Sequence, residues 1–270
     1  MPELPEVETT RLGLLPRVVG RSIRDVVVRE PRLRWPVPRD LAARLRGTRV
    51  SAIRRRGKYL LFDCGTGHLL VHLGMSGNLT VVPPDRPVRR HDHVDLALDS
   101  GDIVRLNDPR RFGAVLWVRD PGHHALLDGL GVEPFEEAFD GEYLHRASRG
   151  RRAPVKQFLM DSRVVTGIGN IYANEALFAA RILPSRAAGR IALGRFERLA
   201  REIRVTLERA LAAGGSTLRD FVGSDGAPGH FQLEYAVYGR QGEPCPACGR
   251  PVSASRHAGR STFHCASCQR

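Results

Sequence analysis

Short apolar runs separated by turn residues occupy the first 120 residues of the chain. An amphipathic stretch comes first, with Pro5 suited to the opening helical turn and an apolar face made of Val7, Leu14, Leu15 and Val18. Short runs follow at residues 23–28, 50–53, 59–62, 69–73, 78–82, 93–98, 103–106 and 114–118. Runs of this length and spacing are typical of a β-sandwich or barrel. We therefore predict a β-sandwich domain with an opening helix at residues 1–120.

Helical patterns replace the short runs after residue 150. We interpret residues 121–150, which are rich in glycine, as a connector and residues 151–230 as a helical domain. A helix, a glycine-bearing turn and a second helix with Asn170 as its N-cap are predicted between residues 160 and 180. Such a turn suits a phosphate, although ordinary helical corners look the same. A long helix ending at Gly214 is predicted from the stripe Ile191, Phe196, Leu199, Ile203, Leu207 and Leu211. The fold class is α+β.

Four of the five cysteines lie in the last 26 residues, as Cys245-x2-Cys248 and Cys265-x2-Cys268 with 16 residues between the pairs. This spacing predicts one structural zinc ion held by four thiolates. The alternatives are two disulfides or a redox-active cysteine pair. The reducing interior of the cell disfavours disulfides. A redox motif would need one Cys-x2-Cys pair, whereas the chain has two. Residues 252–255 and 261–264 are interpreted as strands of a hairpin with a cationic tip, in a zinc finger at 231–270. Cys64, in an apolar run, is expected to be a buried core thiol.

The charge balance indicates a polyanionic partner. The chain carries 42 Lys+Arg against 29 Asp+Glu, a formal net charge of +13. An excess of this size favours nucleic acid, although a solvated basic surface without a role is the alternative. Lys58 and Lys156 are the two lysines, and so are candidates for chemistry that arginine cannot perform. No apolar run approaches a membrane span of about 18 residues, and the acidic start differs from a signal peptide. We expect a cytoplasmic, nucleoid-associated monomer.

Several motifs together resemble the formamidopyrimidine-DNA glycosylases, along the whole chain and in the order of that family. Besides the helix-turn-helix region and the four cysteines, they are Pro2-Glu3-Leu4-Pro5-Glu6-Val7-Glu8, His72-Leu73-Gly74-Met75-Ser76-Gly77, His91-Asp92-His93-Val94-Asp95, Asp108-Pro109-Arg110-Arg111-Phe112-Gly113 and Tyr238-Gly239-Arg240. The sister branch, endonuclease VIII, has glycine at the position equivalent to Leu4 and lacks the Asp-Pro-Arg-Arg-Phe block. The resemblance implies a bifunctional DNA glycosylase and abasic-site lyase that excises 8-oxoguanine opposite cytosine and formamidopyrimidines, and then cleaves the strand by β,δ-elimination.

The resemblance also implies the catalytic residues. Pro2, exposed by removal of Met1, is the expected nucleophile, because an α-amine is far more deprotonated at neutral pH than a lysine. Lys58 is the rival nucleophile, and in the family it supports the lesion phosphate and sugar. Glu3 is the expected general acid toward the sugar ring oxygen, which requires a raised pKa. Glu6 is a possible supporting acid.

Further residues match family positions that contact damaged double-stranded DNA. Met75, Arg110 and Phe112 match the trio that fills the space left by a flipped base, with Arg110 reading the opposite cytosine. Glu175 is expected to act in positioning, and residues 216–230 match a mobile loop that closes over the flipped base. The phosphate contacts are expected at His72, His91, Lys156, Asn170 and Arg260.

Three alternatives accompany this interpretation. The first alternative is an oxidised-pyrimidine glycosylase of the endonuclease VIII type. The second is a zinc-finger DNA-binding protein without catalytic activity. Pro2, Glu3 and Lys58 argue against the second, since a binding module has no use for them. The third concerns His91-Asp92-His93, whose alternating histidines would share a face of a strand and could bind a second metal; no third ligand is evident.

Overall fold

The computed structural model describes residues 1–215 and 234–270, which form two compact units. The first comprises Met1–Asp128 with the described part of Ala213–His230; the second comprises Gly129–Ala212 with the described part of Phe231–Arg270. The division at residues 128 and 129 falls inside the predicted connector. The predicted loop at 216–230 lies outside the described residues. No described helix is both long and apolar enough to cross a membrane.

The first unit is an antiparallel β-sandwich with an opening helix, as predicted. Helix α1 spans Leu4–Val18 and helix α2 spans Leu41–Leu45. The strands are β1 Ile23–Val28, β2 Ala52–Arg56, β3 Tyr59–Asp63, β4 His68–His72, β5 Asn78–Val82, β6 Asp92–Leu98, β7 Ile103–Asn107 and β8 Ala114–Val118. Among the described residues, these strands form two four-stranded sheets, in the orders β1-β6-β7-β5 and β2-β3-β4-β8.

One apolar cluster joins both sheets and α1. Leu60 and Phe62 of β3, Leu96 of β6, and Val7 and Leu14 of α1 all belong to it, and each is at most 3% exposed. Burying side chains of this size contributes about 1.5–3 kcal/mol each. Because α1 is part of this core, the amino end of the chain is held against the sandwich. Cys64 lies in the same cluster, which confirms its prediction as a core thiol.

The second unit combines helices with a β-hairpin. Its helices are α3 Gly141–Ser148, α4 Val155–Met160, α5 Asn170–Ala179 and α6 Leu193–Ala212. The hairpin consists of β9 Ser253–His257 and β10 Arg260–His264. Short 3-10 turns occur at Pro121–His123 in the first unit and Ala188–Arg190 in the second.

Several sequence predictions need correction. The connector at 121–150 contains helix α3, which begins where the Asp140 carboxylate accepts the N–H of Tyr143 at 2.6 Å. The long helix starts at Leu193, after Ile191. The hairpin strands extend to His257 and Arg260, so that Ala258 and Gly259 alone form the turn. The two-residue turn is possible because both residues have positive φ, of 48° and 76°.

Candidate nucleic-acid interface and metal centre

The amino end of the first unit is buried at the start of α1. Pro2, Glu3 and Glu6 all lie in the buried class, with Glu3 3% and Glu6 0% exposed. Glu3 is the N-cap and Glu6 the third helical residue, and they form a capping box. The Glu6 carboxylate accepts the Glu3 backbone N–H at 2.8 Å. Gly215 approaches the same carboxylate: a Cβ there would lie 3.3 Å from Glu6 Oε1. This packing holds the residues before the helix in one conformation.

The environment of the terminal amine lowers its basicity. Burial lowers the pKa of the Met1 α-amine below its usual value, and the positive charges of Lys58 and Arg110 act in the same direction. The carboxylates of Glu3 and Glu6 oppose this shift without overcoming it. A lowered pKa leaves more of the amine as free base at neutral pH. The terminal amine, the carboxylates of Glu3 and Glu6 and the charge of Lys58 therefore lie close enough to interact electrostatically.

His72 lies beside this group as a neutral imidazole. Burial, followed by the charges of Lys58 and Arg34, lowers the pKa of His72 to about 4. Its Nδ1 accepts the backbone N–H of Gly74 at 3.1 Å, which leaves the proton on Nε2. Its ring packs against its cross-strand neighbour Tyr59, with centroids 4.8 Å apart. His72 can therefore donate a hydrogen bond to a phosphate across the physiological pH range.

Met75, Arg110 and Phe112 stand on two loops of the first unit that are packed backbone against backbone. Met75 is 38% and Phe112 42% exposed, and the Arg110 guanidinium lies 4.9 Å from the centroid of the Phe112 ring. A Cβ on Gly74, which has a φ of +64°, would lie 2.5 Å from the Gly113 nitrogen. The structure thus brings together the predicted trio at exposed loop tips, away from the core.

Asp108 fixes the second of these loops. Its carboxylate is 0% exposed and its Oδ2 accepts the Gly113 N–H at 2.8 Å. A Cβ on Gly113 would lie 2.6 Å from the His72 carbonyl oxygen, so a glycine is required for the close approach. The Asp-Pro-Arg-Arg-Phe-Gly motif therefore specifies a rigid turn as well as two exposed side chains.

His91 does not form a metal site with His93. It precedes β6 with a left-handed φ of 74°, and the two ring centroids are 6.0 Å apart at an interplanar angle of 74°. His93 is buried, and its Nε2–H donates to the Asp108 carbonyl at 2.8 Å. Neither histidine belongs to a group placed to hold a metal among the described residues. The alternating-face argument was wrong because His91 lies outside the strand.

Asn170 lies at the start of α5 in the second unit. The helix begins at Asn170 itself, and the N-cap is Gly169, which corrects the predicted N-cap by one residue. Asn174, one turn further, is 0% exposed and donates to the Asn170 carbonyl at 2.5 Å. The predicted glycine turn is present, with Gly167 at a φ of 87°. The positive end of the helix dipole at Asn170 suits a phosphate.

Two buried polar side chains attach the hairpin to the helices of this unit. Lys156, 4% exposed, donates from Nζ to the Ser261 carbonyl at 2.7 Å and to Thr262 Oγ1 at 2.8 Å. Asn174 Oδ1 accepts the Phe263 N–H at 2.9 Å. Both contacts lie within three residues of Arg260, the exposed first residue of β10. Lys156 thus positions the strand that carries Arg260; its phosphate contact stays a prediction.

Glu175 organises the chain that precedes the finger. It is 6% exposed, and its carboxylate accepts the backbone N–H groups of Ala236, Val237 and Tyr238 at 2.8, 3.0 and 2.7 Å. Burial raises the pKa of Glu175, and these three donors partly offset the shift. These contacts fix residues 236–238 in the structure, and a role of Glu175 in DNA binding or catalysis stays a prediction.

The four cysteines converge on one point at the base of the hairpin. Their sulfur atoms all lie within 4.8 Å of one another, with Cys245 and Cys268 3.9 Å apart and Cys248 and Cys265 3.5 Å apart. A tetrahedral zinc site with bonds of about 2.3 Å has sulfur separations of about 3.8 Å. The residues fit a structural zinc ion, whose ligands all come from the protein. The two-disulfide alternative is not what the structure shows, since all five cysteines are free thiols.

Sequence reasoning missed Arg34 and Asn174. The charge of Arg34 acts on both His72 and Tyr59, and its backbone N–H donates to the Gly113 carbonyl at 3.2 Å. It lies between predicted elements, in a stretch rich in arginine, without any local signal. Asn174 contacts a residue 89 positions away, so no local pattern could have identified its partner.

Comparison with known proteins gives a consistent assignment along the chain. The formamidopyrimidine-DNA glycosylase N-terminal domain matches residues 1–115, the formamidopyrimidine-DNA glycosylase H2TH domain residues 130–222, and the zinc finger found in FPG and IleRS residues 242–270. A formamidopyrimidine-DNA glycosylase of Acidithiobacillus ferrooxidans is 56% identical over 270 residues, covering 100% of each chain.

Solved structures agree. The crystal structure of MutM (Fpg) from Thermus thermophilus has a TM-score of 0.90 and 43% identity, covering 99% of this chain and 98% of that one. A Lactococcus lactis Fpg complexed with a Fapy-dG-containing DNA has a TM-score of 0.91 and 32% identity, covering 99% of each chain.

Fold, site and comparisons together define a DNA-repair glycosylase with a helix-two-turn-helix region and a four-thiolate zinc finger. The chain belongs to the formamidopyrimidine-DNA glycosylase family, and it is an enzyme of that family. The non-catalytic alternative is thereby set aside.

Proposed function

We propose that the protein binds double-stranded DNA with an oxidised purine, excises the base through a Schiff base on Pro2, and cleaves the strand at the resulting abasic site. The observation that carries this proposal is the amino end, where the lowered pKa of the Met1 α-amine coincides with the buried carboxylates of Glu3 and Glu6 and with Lys58. A binding protein would gain nothing from a buried amine of lowered basicity. A four-cysteine cluster of zinc-binding geometry favours a reducing compartment, and we propose that the protein acts in the cytoplasm.

The proposed chemistry begins with attack by the Pro2 nitrogen on C1′ of the sugar. The lone pair of the secondary amine forms the C1′–N bond, the damaged base leaves with the electrons of the glycosidic bond, and the proton lost by the attacking nitrogen is taken up by the departing base. Glu3 then protonates the ring oxygen as its bond to C1′ breaks, which yields an open-chain iminium. Lys58 acts at the lesion phosphate and sugar. Its positive charge lowers the pKa of the Met1 α-amine, and we expect the same effect on the Pro2 amine once Met1 is removed.

Strand cleavage follows from the iminium. The positive nitrogen acidifies the C2′–H bond, and loss of that proton expels the 3′ phosphate with its bonding electrons. A second elimination, after proton loss from C4′, expels the 5′ phosphate. Hydrolysis then releases the sugar remnant and restores the free amine. Each elimination converts one C–H and one C–O bond into a carbon–carbon double bond.

The exposed loop tips supply base flipping and recognition of the opposite strand. Extruding a nucleotide costs a few kcal/mol, and Met75 and Phe112 offset this cost by filling the stack. Arg110 hydrogen-bonds the orphaned cytosine; the contact of its guanidinium with the exposed Phe112 ring supports this role. His72, His91, Asn170 and Arg260 contact phosphates around the lesion. Lys156 acts there mainly through Arg260, because its ammonium is engaged by the hairpin.

Replacing Arg110 tests the reading of the opposite base. We expect Arg110→Ala to retain lyase activity on a preformed abasic site within about tenfold, while the preference for cytosine over adenine opposite 8-oxoguanine falls by about 10–100-fold, because a good bidentate base contact is worth about 1–3 kcal/mol. Single-turnover excision from matched duplexes measures the ratio. Arg111→Ala, the neighbouring exposed arginine, is the control and should keep it. Unchanged discrimination in Arg110→Ala would assign the reading to another residue.

Borohydride trapping tests the proposed function. The protein lacking Met1 is mixed with an 8-oxoguanine·cytosine duplex and reductant, and the cross-linked peptide is mapped by mass spectrometry. We expect a single cross-link, on Pro2. A cross-link on Lys58 would keep the enzyme and overturn the mechanism. Faster trapping on thymine glycol than on 8-oxoguanine would favour the oxidised-pyrimidine alternative, and no cross-link in DNA-bound protein would refute the lyase.

A further inference from the structure

A cluster of arginines lies in the second unit, in a cleft of about 770 Å³. Four arginines line it, and we call it the arginine cleft: Arg181, Arg195, Arg198 and Arg270, with small residues such as Ala180 and Ala247 between them. The volume falls in the range of about 300–1,000 Å³ typical of ligand pockets.

The arginines of the cleft have no carboxylate side-chain partner. Within residues 1–215 and 234–270, no ion pair within 4.0 Å joins any of them to an aspartate or glutamate. Arg195 donates to the backbone carbonyl of Arg181 and to a main-chain oxygen of Arg270, the last residue of the sequence, and Arg198 donates to the Ala179 carbonyl at 3.1 Å. Burial lowers the pKa of Arg195, and the charges of Arg186 and Arg198 lower it further. Like charges concentrated in this way disfavour folding unless an anion neutralises them.

The arginine cleft is separate from the residues proposed to contact damaged DNA. Asn170 begins α5, whereas Ala180 and Arg181 follow its other end, a distance of about 15 Å along a ten-residue helix. The finger shows the same separation, because Arg260 lies at the hairpin turn and Cys268, which lines the cleft, lies at the base. A ligand of the cleft would therefore be different from the phosphates that we propose Asn170 and Arg260 to contact.

The shape and lining of the cleft favour one class of anion. A duplex presents its phosphates on convex ridges, which do not enter a concave pocket of this size. Single-stranded nucleic acid is usually bound by stacking on aromatic side chains, and none of the described residues that line the cleft is aromatic. Guanidinium groups match carboxylates in a planar, bidentate geometry. We propose that the arginine cleft is a docking site for an acidic peptide segment of a partner protein, bound independently of the damaged duplex.

Fluorescence anisotropy with a labelled hexa-aspartate peptide tests this site. The zinc-loaded full chain is first saturated with a duplex containing a tetrahydrofuran abasic analogue, so that the basic DNA-binding residues are occupied. We expect saturable binding of the peptide, and a Kd about tenfold weaker in Arg181→Gln/Arg198→Gln, since two charge-assisted contacts are lost. The matched control, Arg21→Gln/Arg24→Gln, removes the same charge from exposed positions of the first unit and should change the Kd less than twofold.

The outcomes separate the possible ligands. Absence of peptide binding up to 1 mM, or equal weakening by both double variants, would overturn the proposal. Binding of hexathymidylate in place of the peptide, sensitive to the cleft variant, would assign the cleft to single-stranded nucleic acid. Arg181→Gln alone changes an exposed side chain and is expected to weaken peptide binding about threefold. This single variant replaces the double variant in the test if the double variant loses zinc or folds poorly. Because the readout is binding, it is independent of base excision.

Discussion

Protein that retains Met1 is expected to lose base excision and strand cleavage by at least about 10³-fold relative to protein that begins at Pro2, because an amide nitrogen cannot form a Schiff base. In the structure the Met1 amine is partly buried near Glu3, Glu6 and Lys58, where its pKa is lowered. Removal of Met1 transfers the terminal amine to Pro2, which is itself buried. Burial of the Pro2 nitrogen is expected to act in the same direction as burial of the Met1 amine, and a lowered pKa leaves a larger fraction of the amine as free base at pH 7.

The comparison is made on two samples that differ only at this residue, with Pro2 exposed by a site-specific protease in one and Met1 left in the other. Rates are measured in single turnover on 8-oxoguanine and on abasic duplexes, and DNA affinity on an uncleavable abasic analogue. Affinity within about tenfold in both samples would place the loss in chemistry. Comparable strand cleavage by Met1-retaining protein would instead implicate Lys58 or the Met1 amine itself: Lys58→Ala in the same background would abolish the cleavage in the first case and leave it in the second.

Replacing one zinc ligand is expected to have the second largest effect. Cys248→Ser should abolish stoichiometric zinc and weaken DNA binding by about 100-fold or more, because structural zinc sites contribute about 10–16 kcal/mol of apparent binding free energy to small modules. Cys245 and Cys265 lie in the small apolar cluster of the finger with Val237 and Val252, so loss of the metal also releases that packing. Arg260 then loses its fixed position.

Three measurements test this effect: the zinc content by mass spectrometry, the absorption spectrum of the cobalt-substituted protein, and the affinity for DNA. Cys64→Ala is the matched control, since Cys64 belongs to the sandwich core and is no ligand; it should keep one zinc ion per chain and lose only stability. Full DNA affinity in zinc-free Cys248→Ser would show that the finger does not contribute to the interface.

The sandwich strands could be predicted because each is an apolar run bounded by turn residues. The predicted runs 23–28, 78–82 and 114–118 coincide with β1, β5 and β8. Helix α2 was missed since five residues are too few to show a helical period. Helix α3 was missed because its glycine-rich surroundings outweighed the capping signal of Asp140.

The candidate site divides in the same way. The cysteine spacing predicted the metal centre directly, since short-range geometry determines which thiolates reach one ion. The attachment of the hairpin by Lys156 could not be predicted, because its partner Thr262 lies 106 residues away. The amino-end residues were identified through resemblance, and their burial and the direction of the amine pKa required the structure.

The glycine-packed loops that carry Met75 and Phe112 have a kinetic consequence. Ordering a flexible residue costs about 1–2 kcal/mol, so loops that became ordered only on DNA would incur that cost at every base pair tested. Here Gly74, Gly113 and the Asp108 carboxylate complete the ordering during folding. Under the proposed function, insertion of Met75 and Phe112 between bases therefore carries no such ordering cost at each base pair, because the conformational entropy of the two loops is lost once, when the protein folds.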